Sequence, residues 1–172
     1  VRIAGAQAER DTALADWLGS RAPSRQQLRL AQGHAQASGT LPEVAVFILD
    51  RTGSRKQLRG TVNSLRAAAR ADTFKLAIHV VSRALRESPT EDTRHGVTWH
   101  YRADGDFAAV VNAAATRQSG GWLLLVEAGD EFTALGLQAV VQQAVDTPGT
   151  RAVYADELMR TPTGDLSALL RP

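Results

Sequence analysis

Trp122-Leu123-Leu124-Leu125-Val126-Glu127-Ala128-Gly129-Asp130-Glu131 is the stretch whose reading decides the fold. It follows Gly120-Gly121, stays apolar through Val126, and ends in three acidic residues around one glycine. A short continuous apolar run bounded by turn signals fits a strand buried on both faces. Carboxylates at the C-terminal end of such a strand lie where open α/β sheets place their ligands. Two readings of these acids stand side by side. Asp130 or Glu131 caps the helix that follows, because anionic side chains favour that end of the helix dipole. Alternatively the group faces a divalent metal or a phosphate, since hard cations take oxygen ligands. Glu127 could then face the ligand while Glu131 faces the helix.

Working back from this run, a second buried-strand run is Val44 to Leu49, which stops at Asp50-Arg51-Thr52-Gly53. Ser54 is placed to cap a helix carrying Leu58, Val62, Leu65 and Ala69 at steps of three and four residues. Leu76 to Val81 reads as a strand, 83–96 as a polar loop or irregular helix, and Val97 to Tyr101 as an alternating strand. Asp104-Gly105-Asp106 leads into a helix with Phe107, Val110, Val111 and Ala114 on its apolar side. Working forward, Leu135, Leu137, Val140, Val141 and Ala144 mark another helix, closed by Pro148-Gly149. Ala152 to Ala155 reads as a short fifth strand followed by Asp156-Glu157, and Thr163-Gly164-Asp165 as a turn. Strands alternating with helices predict an α/β fold with a mostly parallel sheet covered on both faces.

The first 40 residues carry no strand signal. Ala13, Leu14, Trp17 and Leu18 share a helical face, and Pro23-Ser24 is a break and N-cap before Leu28, Leu30 and Ala31. The predicted organisation is a helical lead-in over 1–41 and a sheet domain over 42–172.

A chain of 172 residues is long enough for one domain with a real core. Aromatics make up only 5% of it, so that core must be built from Ala, Leu and Val. The net charge of +2 is too slight, and the arginines too scattered, to argue for a nucleic-acid or membrane partner. Cysteine is absent, which excludes disulfides and thiolate zinc sites. No run reaches the roughly 18 apolar residues of a membrane span. No signal peptide is visible, so an integral membrane protein is not expected and the cytoplasm is the default compartment. The first residue is Val1 rather than Met, which suggests a piece of a longer protein.

Neither a G-x-x-x-x-G-K-[ST] loop nor a G-x-G-x-x-G after the first strand is present. His34, His79, His95 and His100 show no paired metal spacing, and His79 and His100 read as structural strand residues. Asp50 to Gly53 lies where a ligand loop would lie, but for any single residue there the simple turn is the preferred reading. Gly105 before a helix would let backbone approach a ligand, and a helix N-terminus offers N–H groups to phosphate. Asp106 reads equally well as the N-cap above a buried Phe107. Asn112, within an apolar helix, needs a polar partner if it is buried.

Together these segments resemble the family-2 glycosyltransferases of GT-A fold, especially the bacterial O-antigen-type members of polysaccharide biosynthesis. The likeness covers about 42–172. Pro42 with Val44–Leu49 matches the first strand, Ser64-Leu65 the helix after it, and Asp104-Gly105 through Asn112 the later helix start. Glu127 to Glu131 matches the acidic metal motif, and Tyr154-Ala155-Asp156-Glu157 the last motif, followed by Gly164 and Arg171-Pro172. The resemblance implies a Rossmann-like three-layer GT-A sandwich that binds a nucleotide-sugar donor. It implies donor contacts at Asp50, Thr52, Asp104, Gly105 and Asn112, and Mn²⁺ or Mg²⁺ at Glu127 and Asp130. It further implies transfer of the sugar to a polysaccharide or lipid-linked acceptor, with a catalytic base outside this chain, so the chain alone would be inactive. Val80-Val81 stands where the family carries paired Asp that contact the nucleoside, and Gly129 stands where it carries its second metal-motif Asp. Those departures motivate the alternative of a non-catalytic interaction or scaffolding domain.

Overall fold

The computed structural model describes residues 13, 16–20, 22–37, 39–83, 91–102, 105–117, 121–133, 135–155, 157–160 and 166–169. Asp104, Asp156 and the Thr163-Gly164-Asp165 turn lie outside them.

The centre of the fold is strand β1 (Glu43–Asp50), whose residues from Val44 to Ile48 are all buried. Strand β2 (Lys75–Ser82) runs parallel to it on one side, and β4 (Val97–Tyr101) runs parallel to β2. Strand β5 (Trp122–Glu127) lies parallel to β1 on the other side. A short strand β3 (Glu91–Arg94) pairs antiparallel with β4, giving the order β3-β4-β2-β1-β5. Four strands are therefore parallel, and an antiparallel edge closes one side.

Helices cover both faces of the sheet. Helix α2 (Arg55–Ala68) and helix α4 (Gly136–Asp146) pack Leu58, Leu65, Leu137 and Val141 on the face of Val44, Val46 and Ile48. Helix α3 (Phe107–Ala115) packs Phe107, Val111 and Ala114 on the opposite face, against Ala45, Phe47 and Val81. Successive side chains of a strand point to opposite faces, so β1 feeds both cores. The architecture is mixed α/β and compatible with a Rossmann-like sandwich.

The expected caps explain where these helices start. Ser54 Oγ accepts the Gln57 N–H, and Asp106 Oδ1 accepts the Ala109 N–H. In the lead-in, Ser24 and Gln27 form a reciprocal capping box at the start of helix α1 (Arg25–Ala37). Helix α1 rests on the 3₁₀ turn Ala69–Ala71 and buries Ala35.

Four expectations need correction. First, 83–96 is not wholly loop or helix, because Glu91–Arg94 forms β3. His95 (φ 51°) and Gly96 (φ 70°) both take positive φ, which a two-residue type I′ hairpin turn requires. The hydrogen-bonded partner β4, not apolar periodicity, makes this polar segment a strand.

Second, Ala152 to Ala155 is not a strand. Residues 151–155 are irregular, with Tyr154 71% exposed. The strand falls later, at β6 (Glu157–Arg160), which pairs antiparallel with β7 (Leu166–Leu169) in a separate two-stranded sheet. A local antiparallel hairpin needs no crossover, whereas a parallel addition to β5 would. Glu157 therefore belongs to that ribbon and does not extend the acidic edge of the main sheet.

Third, β5 is not buried on both faces. Only Val126 is buried, while Leu123 and Leu125 are 43% and 52% exposed. Helix α3 packs on β1 and β2, and its apolar cluster does not extend to this side of β5.

Fourth, neither Asp130 nor Glu131 caps α4. The Gly136 N–H is taken instead by Thr133 Oγ1 at 3.1 Å.

Candidate functional site: the carboxyl rim at the switch point

The chain steps from β1 to β2 and on to β4 in one direction, then returns to place β5 on the far side of β1. The reversal makes the gap between the C-terminal ends of β1 and β5 a topological switch point, where open α/β sheets bind ligands. Leu49 pairs with Glu127 across this gap, so Asp50, Arg51 and Glu127 border it.

Asp50 is 4% exposed and its carboxylate is fully engaged. Oδ1 accepts the Gly53 N–H at 2.8 Å, and Oδ2 accepts the Ser82 hydroxyl at 2.9 Å. It therefore latches the ends of β1 and β2 together rather than facing outward. Thr52 is exposed, donates to Gln57 Oε1 at 3.0 Å and accepts the Ser54 N–H, so it braces the start of α2. Asn112 is exposed, which removes its need for a buried partner. It is the sixth residue of α3, roughly 7–8 Å along the axis from the helix start.

The acidic motif forms a tight turn. Asp130 Oδ2 accepts the Glu127 N–H at 2.8 Å, and the Asp130 N–H returns to the Glu127 carbonyl. The Gly129 N–H donates to Thr61 Oγ1 at 2.9 Å, and Ala128 N–H to the Leu49 carbonyl. Thr61 is wholly buried and fastens this loop to α2. Glu131 turns away toward α2, its Oε1 3.0 Å from where a Cβ on Gly60 would stand. Glu127 points over the switch point, where Arg51 Nε contacts both of its oxygens at 3.0 and 3.3 Å.

As arranged, Glu127 and Asp130 turn to different partners. The first carboxylate is matched by a guanidinium, and one oxygen of the second, Oδ2, accepts a backbone N–H. No group of three His, Asp or Glu among the described residues could hold a metal ion.

The rim residues that sequence reasoning passed over are arginines. Asp50, Ser82 and Tyr101 are level with one another in the sheet register. The next residue of each strand is an arginine: Arg51, Arg83 and Arg102. Neighbouring strands lie about 4.8 Å apart, so these three residues form a row along the carboxyl rim. By the alternation of the pleat they continue the Phe47 and Val81 face. Contacts bear this out for two of them: the Arg51 and Arg83 guanidinium carbons lie 5.4 and 5.8 Å from the Phe107 ring centroid.

Gly105 has a role here that differs from a ligand-facing gap. At φ 72°, its missing side chain leaves the space that the Arg83 guanidinium fills; a Cβ would stand 2.1 Å from Nη2. Among the described residues, Arg83 has no carboxylate partner. The signal for this row was present in the sequence as an arginine within two residues of the end of each of three predicted strands.

Elsewhere, His79 and His100 meet on the α3 face, with Nδ1 and Nε2 3.1 Å apart. His79 stacks on Phe47 at 4.6 Å between centroids. His79 lies inside β2, whereas His100 is level with Val81, one residue short of the Ser82–Tyr101 row. No helix among the described residues is long and apolar enough to cross a membrane.

No family model matches the chain, and neither the curated proteins nor the solved structures searched contain a match.

Proposed function

We propose that this chain is the nucleotide-sugar-binding domain of a glycosyltransferase of GT-A type. Such a domain would present the donor for transfer to a glycan or lipid-linked acceptor. The observation that carries the reading is the parallel order β4-β2-β1-β5, with its switch point between β1 and β5. The motif order along 42–172 adds to it. In this reading the donor lies across the carboxyl rim, its charged part against the ends of β1 and β2. The acceptor hydroxyl would be deprotonated by an Asp or Glu outside this chain.

A second reading, a glycosyltransferase-like interaction domain without transfer activity, is favoured by one specific feature. Val80 and Val81 are wholly buried in β2, where they serve the two cores and offer nothing to a nucleoside.

Calorimetric titration with UDP- and dTDP-sugars, with and without Mn²⁺, tests the first reading. Saturable heat at sub-millimolar donor is the expected result. No heat at millimolar donor under either condition overturns it and leaves the interaction domain.

A further inference from the structure

We propose that the carboxyl rim holds the diphosphate of its ligand with arginines, chiefly Arg83 and Arg51, and without a bridging metal ion. The inference deepens the nucleotide-sugar reading, on which it relies for the identity of the diphosphate-bearing ligand.

Three observations carry it. The carboxylates that would anchor a cation face other partners as the chain stands: Glu127 faces Arg51, and Asp130 turns one oxygen, Oδ2, onto the Glu127 N–H. The register then sets Arg51, Arg83 and Arg102 level at the ends of three adjacent strands. Finally, Arg83 is held in place before any ligand arrives. It is wedged against Gly105 and beside Phe107, exposed, with no carboxylate partner among the described residues. A planar guanidinium presents N–H groups in a fork that matches phosphate oxygens, and holding it in advance reduces the rotamer entropy lost on binding.

Glu127 takes part as an internal competitor. Its pair with Arg51 is half-exposed, with side-chain accessibilities of 58% and 51%. Such a pair is weakly held, so an incoming phosphate oxygen can replace the carboxylate on Arg51. Two guanidiniums would then neutralise the charge that a divalent ion otherwise neutralises.

The test uses inorganic pyrophosphate and UDP as probes, titrated by calorimetry into the chain in EDTA and again in Mn²⁺. Pyrophosphate binding in EDTA is expected, weakened about tenfold or more by Arg83→Gln. Glu127→Gln should tighten it, because Arg51 is released; a merely structural glutamate would not produce that gain. Gly105→Ala, which displaces the Arg83 guanidinium, should weaken binding like Arg83→Gln while leaving the circular dichroism spectrum unchanged. Absence of pyrophosphate binding in EDTA, or equal binding by Arg83→Gln, overturns the proposal. Binding that requires Mn²⁺ and is lost in Glu127→Gln also overturns it, in favour of a metal site. UDP binding that ignores Arg83 leaves the nucleotide-sugar reading standing and removes this inference. Arg83-dependent pyrophosphate binding without any UDP binding does the reverse.

Discussion

Strands β1 and β5 are neighbours, parallel and in register, and both appear in the sequence as continuous apolar runs. Their fates differ. Val44 to Ile48 of β1 are buried without exception, whereas β5 alternates and leaves Leu123 and Leu125 open. The cause is the helix layer. Helices α2 and α4 cover one face of the sheet, and α3 covers β1 and β2 on the other. A run of apolar residues thus identifies a strand but does not count its covered faces. Coverage depends on where distant helices land.

The comparison can be broken most directly in the core. Phe47→Ala removes a wholly buried ring and should lower unfolding stability by about 3–5 kcal/mol. Leu125→Ala on the open face of β5 should change it by no more than about 0.5 kcal/mol. Urea denaturation of both variants checks the contrast. A Leu125→Ala loss as large as that of Phe47→Ala would show that something covers β5 in solution.

An intermediate effect is expected at the strand ends. Asp50→Ala leaves the Ser82 hydroxyl and the Gly53 N–H without their acceptor. It should cost about 1–3 kcal/mol, since the Asp50–Ser82 bond is buried and losing a buried acceptor is expensive. In a double-mutant cycle, Ser82→Ala should add little once Asp50 is gone, because both changes remove the same bond. Full additivity would mean that the latch does not exist.

The smallest effect is expected on the exposed side of the rim. Glu127→Gln weakens a half-exposed ion pair to Arg51 and should lower stability by about 0.2–1 kcal/mol. A thermal or urea midpoint shifted by several times that amount would mark the pair as a structural lock, and would conflict with Arg51 being available to a phosphate.

Much of this scaffold was legible before any coordinates. The runs Val44–Leu49, Leu76–Val81 and Val97–Tyr101 all became strands, within a residue or two of their expected ends. Local chemistry made the helix starts readable too. Ser24, Ser54 and Asp106 each cap the helix that follows, because a short acceptor side chain can satisfy an N–H three residues on. The polar strand Glu91–Arg94 was not legible, because only its partner β4 makes it one. The fifth strand was misplaced because Ala152 to Ala155 looks extended, while no strand among the described residues pairs with it.

The candidate site was the least readable part. Sequence order put acids at the strand ends, and the acids are indeed there. Spacing along the chain could not show that Asp50 accepts from Ser82, Asp130 from the Glu127 N–H, and that Glu127 pairs with Arg51. Nor could it show that Arg51, Arg83 and Arg102, far apart in the chain, stand level on one rim.

Periodicity and capping are properties of neighbours within a few bonds, so the linear chain was enough to specify strands, helices and their approximate limits. Face coverage, register and the pairing of charges depend on which remote segments meet. Those followed only from packing around β1, where one choice of alignment buries both cores and sets the charges at its end.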